Sequence, residues 1–383
     1  MKSKRETLLR MMKREECGPV VLDLGSSPNT SITKIAYENL VRYLGLKTIS
    51  EPRIFHKPFQ LVEMDGEVLS ALHIDTRAIG GPSTEQSRMH NLPNGRFSDE
   101  WGIIWRPAHS GDQLLYYEVE ASPLIIGTEA EIDHHPWPEP ANTSWIHGLR
   151  KRTTAVREQQ GTILVGHHGD TSIFENARDV RGMVSFLMDL IRNKDYAHKL
   201  LDKVTEIQCA KMEAYLGEVG DLLDVVCIGD DLGGQEQPLI SPALYREMIK
   251  PYHERYFDTI KSHTTAMLHM HSCGSIQCFL DDLIEIGVDI INPVQVTARG
   301  MDPEKLKTQF GERITFWGGI DSQHILPQGT PEDVRKAVRH AVKVLSPGGG
   351  YILSAVHNIQ SDVPPENIVA MFDEANKLNK TWG

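Results

Sequence analysis

The sequence predicts an α/β protein of the (β/α)8 class, a TIM barrel with a β-hairpin inserted near its N-terminal third. Three observations predict it. Eight apolar, strand-like runs alternate with amphipathic stretches, and eight parallel strands are the number that closes a barrel. Residues able to do chemistry gather where those runs stop. The glycine-rich phosphate loops of open doubly wound sheets, GxGxxG and GxxxxGK[ST], are missing.

Composition sets the outer bounds. The 383 residues carry the apolar, charged and aromatic fractions of a soluble globular protein. We read residues 1–383 as one barrel domain, with residues 80–150 as an excursion that contributes to the pocket. A net charge of -12 argues against nucleic acid as a partner, because phosphate binding needs a basic surface. No apolar run approaches the roughly 20 residues of a membrane span. The start, MKSKRETLLRMMKREE, reads as an amphipathic helix and not as a signal peptide. Five scattered cysteines with no export signal point to a reducing, cytoplasmic setting and against a disulfide framework.

The strands follow in order. PVVLDLGS (19–26) is the first, LSALHIDTRAI (69–79) the second, GTILVGHH (161–168) the third and DVVCIGDD (224–231) the fourth. TTAMLHMHS (264–272), VDIINPVQ (288–295), RITFWGGI (313–320) and GYILSAVH (350–357) complete the set. The stretch from Asp179 to Leu216 is helical in period, and SPALYRE and TPEDVRK each open a helix with a Ser or Thr cap followed by Pro. Between the second and third strands, WGIIW and LLYYEV alternate around the turn signals NLPNGR and HSGDQ, which predicts the inserted hairpin.

The strand ends carry Asp75 and Arg77; His167, His168 and Asp170; Asp230 and Asp231; His271 and Cys273; Asn292 and Gln295; Asp321; and His357 and Gln360. In a (β/α)8 barrel the carboxyl ends of the strands form the active face. In HMHSCGSI (269–276), side chains two apart share one face of a strand, so His271 and Cys273 project together. They are nitrogen and sulfur ligands of the kind zinc favours, and a third is needed. His357, ending a different strand, is the natural third; Asp230, Asp231 or water completes the set. His269 lies deeper and reads as a core histidine, and Cys17, Cys209, Cys227 and Cys278 as small apolar fillers.

GDDLGGQEQPLISPALYREMIKPY, HMHSCGSI, GVDIINPVQ, FWGGIDSQ and GYILSAVHNIQSDVPPENI together resemble the uroporphyrinogen decarboxylase superfamily, and more closely its cobalamin-dependent zinc methyltransferase branch, with O-demethylating methyltransferases nearest. The resemblance runs from about Val20 to the C-terminus and implies the same barrel, with a pocket at its carboxyl face. Decarboxylases of the family carry an arginine-containing segment near the start that grips porphyrin carboxylates; here LDLGSSPNTSITK has none. In the methyltransferases the His and Cys of HxCG bind zinc. Members that methylate a thiol use a second Cys in the last strand, whereas this chain has no cysteine after Cys278 and offers His357.

That substitution has a consequence. Zinc with one thiolate and two neutral imidazoles keeps about one net positive charge, and is the better Lewis acid toward oxygen. The expected function is therefore transfer of a methyl group from a methyl ether, such as a methoxylated aromatic, to the reduced cobalt of a separate corrinoid protein. No DxHxxG segment for binding cobalamin is present, which places the corrinoid on a partner. Transfer from methylcobalamin to a thiol or pterin is one alternative, and metal-free decarboxylation another. The resemblance places Asp75, with Arg77, where decarboxylase relatives hold a substrate-contacting Asp, for substrate contact or acid/base work, with a structural Asp–Arg pair as the alternative; Asp231 and His167 are further catalytic candidates in the pocket, and His168 and Gln235 are expected to line it. Asn292 and Gln295 join them from their strand end. Trp101, Trp105, Tyr116 and Tyr117 are expected to wall an aromatic substrate. Family members vary in oligomeric state, and a homodimer is the expectation.

Overall fold

Eight short runs, seven of them buried on both faces, cannot stand alone, and the chain closes them on themselves. The computed structural model describes residues 3–46, 51–80, 89–140, 143–159, 161–168 and 172–381. Its barrel strands are β1 (Val21–Leu22), β2 (Thr76–Gly80), β3 (Ile163–His167) and β4 (Val225–Gly229), then β5 (Met267–His271), β6 (Ile290–Val294), β7 (Thr315–Ile320) and β8 (Tyr351–Ala355). They form one parallel sheet in the order β1-β8-β7-β6-β5-β4-β3-β2. The two ends of that order meet. Asp75 N–H donates to Leu22 O at 2.9 Å, and Leu22 N–H donates to Asp75 Oδ2 at 2.9 Å. A side-chain oxygen thus stands in for a backbone carbonyl at the seam.

Each expected strand overlaps an observed one, but the second is shorter than expected. The first three residues of the run 69–79 belong to a helix, Gly66–Ala71, after which His73 takes a φ of 56°, and the strand starts only at Thr76. The helical stretch after Asp179 is likewise divided. Helix Ile173–Arg181 stops at Gly182, whose φ of 86° no helix permits, and Met183–Arg192 and Lys194–Val219 follow. Ser241 and Thr330 cap their helices as expected, each hydroxyl accepting a backbone N–H of the first turn.

The interior is layered. Val21, Ile163, Val165, Val225, Cys227, Met267, Ile290, Trp317 and Ile352 pack into one buried cluster with Leu8 and Met12 of the N-terminal helix, Lys4–Met12. That helix closes the amino-terminal mouth of the barrel. Gly350 N–H donates to Met11 O at 2.7 Å and Thr315 Oγ1 to Met12 O at 2.5 Å. Arg5 and Arg157 converge on the buried Asp224. Above this layer Asp23 accepts hydrogen bonds from Thr76 Oγ1 at 2.5 Å and Trp317 Nε1 at 3.1 Å. The opposite, carboxyl-terminal mouth is open.

Between β2 and β3 lies a four-stranded antiparallel sheet. Its long strands, Ile104–Ser110 and Gln113–Ala121, pair Trp105 with Val119 and Ala108 with Tyr116. Among the described residues, no helix is long and apolar enough to cross a membrane.

Candidate metal centre and its pocket

β5 delivers two side chains to the open mouth, as the alternation requires. His271 is its last residue and Cys273 follows two positions on; His357 comes two residues after β8. One nitrogen from each imidazole and the Cys273 Sγ all lie within 4.8 Å of one another. Cys273 Sγ is 3.3 Å from His271 Nε2, close to the roughly 3.5 Å that two ligands of one tetrahedral zinc adopt given its bond lengths. The His271 and His357 rings meet edge to face at 5.5 Å.

The surroundings prepare these atoms for a cation. Asn292 Nδ2 donates to Trp317 O at 3.2 Å, which turns its Oδ1 toward His271 Nδ1 at 2.5 Å. His271 Nδ1 therefore carries the proton, and the Nε2 lone pair is left facing Cys273. Burial, with the neighbouring His271, pushes His357 down to about 4, so it is a neutral ligand at neutral pH. Burial, then Asp231, then Glu175 hold the Cys273 thiol well above its usual value. A cation that favours the thiolate would displace that proton. The donor set fits zinc.

Backbone packing fixes the cysteine. Gly274 has a φ of 86°, and a Cβ there would fall 2.5 Å from the carbonyl carbon of Gly233. Only two glycines allow the GDDLGG and HSCG turns to stack. The stacking lets Cys273 N–H donate to Asp231 Oδ1 at 2.7 Å, with the same oxygen 3.6 Å from His271 Nε2. Gln295 Oε1 accepts Gly274 N–H at 2.6 Å, and Gln295 Nε2 donates to Gln235 Oε1 at 3.0 Å.

His271, His357 and Asp231 form the floor of a cavity of about 390 Å³. Its walls are Trp105, Tyr116 and Tyr117 from the antiparallel sheet and Trp101 from a turn between two of its strands, with His56 and Phe59 beside them. The remaining wall is helix Ile173–Arg181, which contributes Glu175, Asn176, Arg178 and Asp179. Asp230 positions that helix. Its carboxylate accepts N–H from Ile173, Phe174 and Glu175 at 3.0, 2.8 and 2.6 Å, and receives His253 Nε2 at 2.8 Å. Asp230 is therefore spent on a helix N-terminus and does not complete the metal set.

Several expected site residues lie elsewhere. Asp75 precedes β2, at the amino-terminal end of the barrel, where it closes the seam and pairs with Lys4 at 2.7 Å. The role expected of it in substrate contact or acid/base work gives way to a structural one. Arg77 donates to Ile74 O and Thr76 O, and lines a separate cavity on the flank of the barrel, as His167 does. His168 Nε2 lies 2.9 Å from Tyr256 Oη. Gln235 Nε2 donates to Thr297 O. Asn292 and Gln295 stand behind the ligands and not in the cavity. Asp321 accepts Gln323 N–H and His324 N–H as a turn residue. Asp170 lies outside the described residues. The sequence reading missed Glu175, Arg178 and Asp179. Their signal is the spacing in FENARD, which puts two carboxylates and a guanidinium on neighbouring turns of a helix.

Comparison with known proteins gives a consistent picture. The model of the family described as uroporphyrinogen decarboxylase (URO-D) matches residues 121–378. A uroporphyrinogen decarboxylase of Thermus thermophilus is 27% identical over 175 residues, 45% of this chain and 46% of that protein. The methylcobamide:CoM methyltransferase MtbA of Methanosarcina acetivorans is 28% identical over 200 residues, 52% of this chain and 54% of that protein. The chain thus spans about half the length of the curated relatives it matches. A solved methyltransferase from Methanosarcina mazei shares the fold, with a TM-score of 0.68, 17% identity and 99% of both chains covered. With the matching model spanning more than half of its length, the chain belongs to the uroporphyrinogen decarboxylase family.

Proposed function

We propose that the protein is a methyltransferase that moves a methyl group from the oxygen of a methoxylated aromatic compound to the reduced cobalt of a separate corrinoid protein. The observation that carries this reading is the convergence of His271, Cys273 and His357, whose two imidazoles form part of the floor of an aromatic-walled cavity. Zinc, when bound there, supplies Lewis acidity toward an ether oxygen, because one thiolate and two neutral imidazoles leave it net positive.

The chain's own residues do the rest. Trp101, Trp105, Tyr116 and Tyr117 receive the ring and hold its methoxy group toward the floor. Asn292 keeps the His271 proton on Nδ1, and Asp231 accepts from Cys273 N–H, so the ligand atoms stay aimed at one point. In the reaction the cobalt supplies the electron pair of the new bond to the methyl carbon. The old bond's pair stays with the oxygen, which leaves as a phenolate and takes a proton from solvent. The corrinoid-bearing partner approaches the open mouth of the barrel. Decarboxylation of a tetrapyrrole is favoured by the names of several relatives and opposed by the cavity: among the described residues its single lining guanidinium, Arg178, is engaged by Glu175 and Asp179.

The test combines metal analysis with turnover. The protein should hold about one zinc per chain, lost in Cys273→Ala. With a reduced corrinoid protein and a panel of methoxylated aromatics, it should produce methyl-cobalt and the free phenol. Methyl transfer only from methyl-cobalt to a thiol or pterin, or loss of carboxylate from a uroporphyrinogen by metal-free protein, would overturn the reading.

A further inference from the structure

The cavity is acidic. Asp99, Glu100, Glu118, Glu175, Asp179 and Asp231 line it, against the guanidinium of Arg178 alone among the described residues. Some of these carboxylates are paired from behind. Glu100 binds Lys211 at 2.7 Å and Glu118 binds Arg106 at 2.9 Å. Lys57 Nζ, which is not a wall residue, sits 4.2 Å over the Phe97 ring. Counting all of these cations, the carboxylates still outnumber them. Asp99 accepts N–H from Trp101 and Ile103, and Nε1–H from Trp105, so its charge is fixed in the aromatic wall itself.

The walls suit a cation in a second way. Aromatic faces attract ammonium groups through their quadrupole. This wall already does so: Lys211 Nζ lies 5.0 Å over the Trp101 ring. The volume, about 390 Å³, accommodates one substituted ring with a short side arm.

We propose that the methyl donor is an aromatic methyl ether bearing a positively charged amine, and that the acidic, aromatic lining discriminates against ring carboxylates. The proposal rests on the methyl-ether reading above and narrows it. A ring carboxylate would be brought among Glu175, Asp179 and Asp231 with, among the described residues, no uncommitted guanidinium lining the cavity to receive it, whereas an ammonium of the same size exchanges water for carboxylates and ring faces.

Three ethers of nearly equal shape test this: dimethoxytoluene, dimethoxybenzylamine and dimethoxybenzoate. Binding to the zinc-loaded protein without corrinoid, followed by calorimetry, should favour the amine over the benzoate by about tenfold or more, with the neutral compound between them. The preference should shrink as salt is raised. Asp179→Asn should narrow the amine-to-benzoate ratio; Glu175→Gln serves the same purpose if the first variant does not fold. Equal or tighter binding of the benzoate, or no binding of any of the three, would overturn the proposal. If the amine wins but no ether yields methyl-cobalt, the charge preference stands and the methyl-transfer reading falls. If the benzoate wins and is demethylated, the reverse holds.

Discussion

His271 is fitted to be a ligand by what its other nitrogen does. The Asn292 amide is fixed by Trp317 O and accepts from Nδ1, so the imidazole cannot flip or change tautomer without losing a buried hydrogen bond. Asn292→Ala should therefore weaken zinc binding by about 10- to 100-fold with little change in secondary structure, as read by competition with a chromophoric chelator. Unchanged affinity would mean that His271 is held by other means. The His271–Cys273 pair was legible because alternate residues of a strand share a face, and His357 because a third ligand had to come from another strand end. Asp75 was misread because the strand was placed too early: the residue taken for its carboxyl end precedes its first residue. Glu175 escaped notice because no apolar run ends there; it reaches the cavity through a helix that Asp230 anchors.

At the scale of elements, the N-terminal helix is a plug. Leu8 and Met12 are fully or almost fully buried against the innermost barrel side chains, and neither has another surface to cover. Leu8→Ala or Met12→Ala should cost about 2–5 kcal/mol, seen as a lowered urea midpoint, while the metal site at the far mouth keeps its zinc. Loss of zinc in either variant at low denaturant would show that the two mouths are coupled. The helix was legible in its alternating basic and apolar residues, and its target was not. Nothing local in RETLLRMM says which end of a barrel it seals; the hydrogen bonds from Gly350 and Thr315 decide that. The breaks at Gly182 and Asn193 were also hidden, since helical periodicity runs on through a change of direction.

The molecule as a whole contains imidazoles that resist protonation. Burial, followed by nearby histidines, lowers His167 and His269 to about 3, against an ordinary value of 6.5. Neither ring nitrogen of His269 has a hydrogen-bond partner among the described residues. Below the ordinary value the unfolded chain binds protons that the native fold refuses, so stability is full above about pH 6.5 and is lost progressively as pH falls toward about 3. The urea midpoint of metal-free protein should decline steadily across the acid side of that window. His269→Gln should flatten the slope by about one proton's worth, and a slope unaltered by it would place the titrating groups elsewhere.

β1 contributes only two residues to the cylinder, and its union with β2 depends on the carboxylate of Asp75. Seven of the eight junctions are ladders of peptide groups; this one is fastened partly by a side chain that also holds Lys4. Thermal stress should part the structure along that line first. The wall would then become a curved ribbon with two raw borders of unpaired peptide groups, where one molecule can zip onto the next.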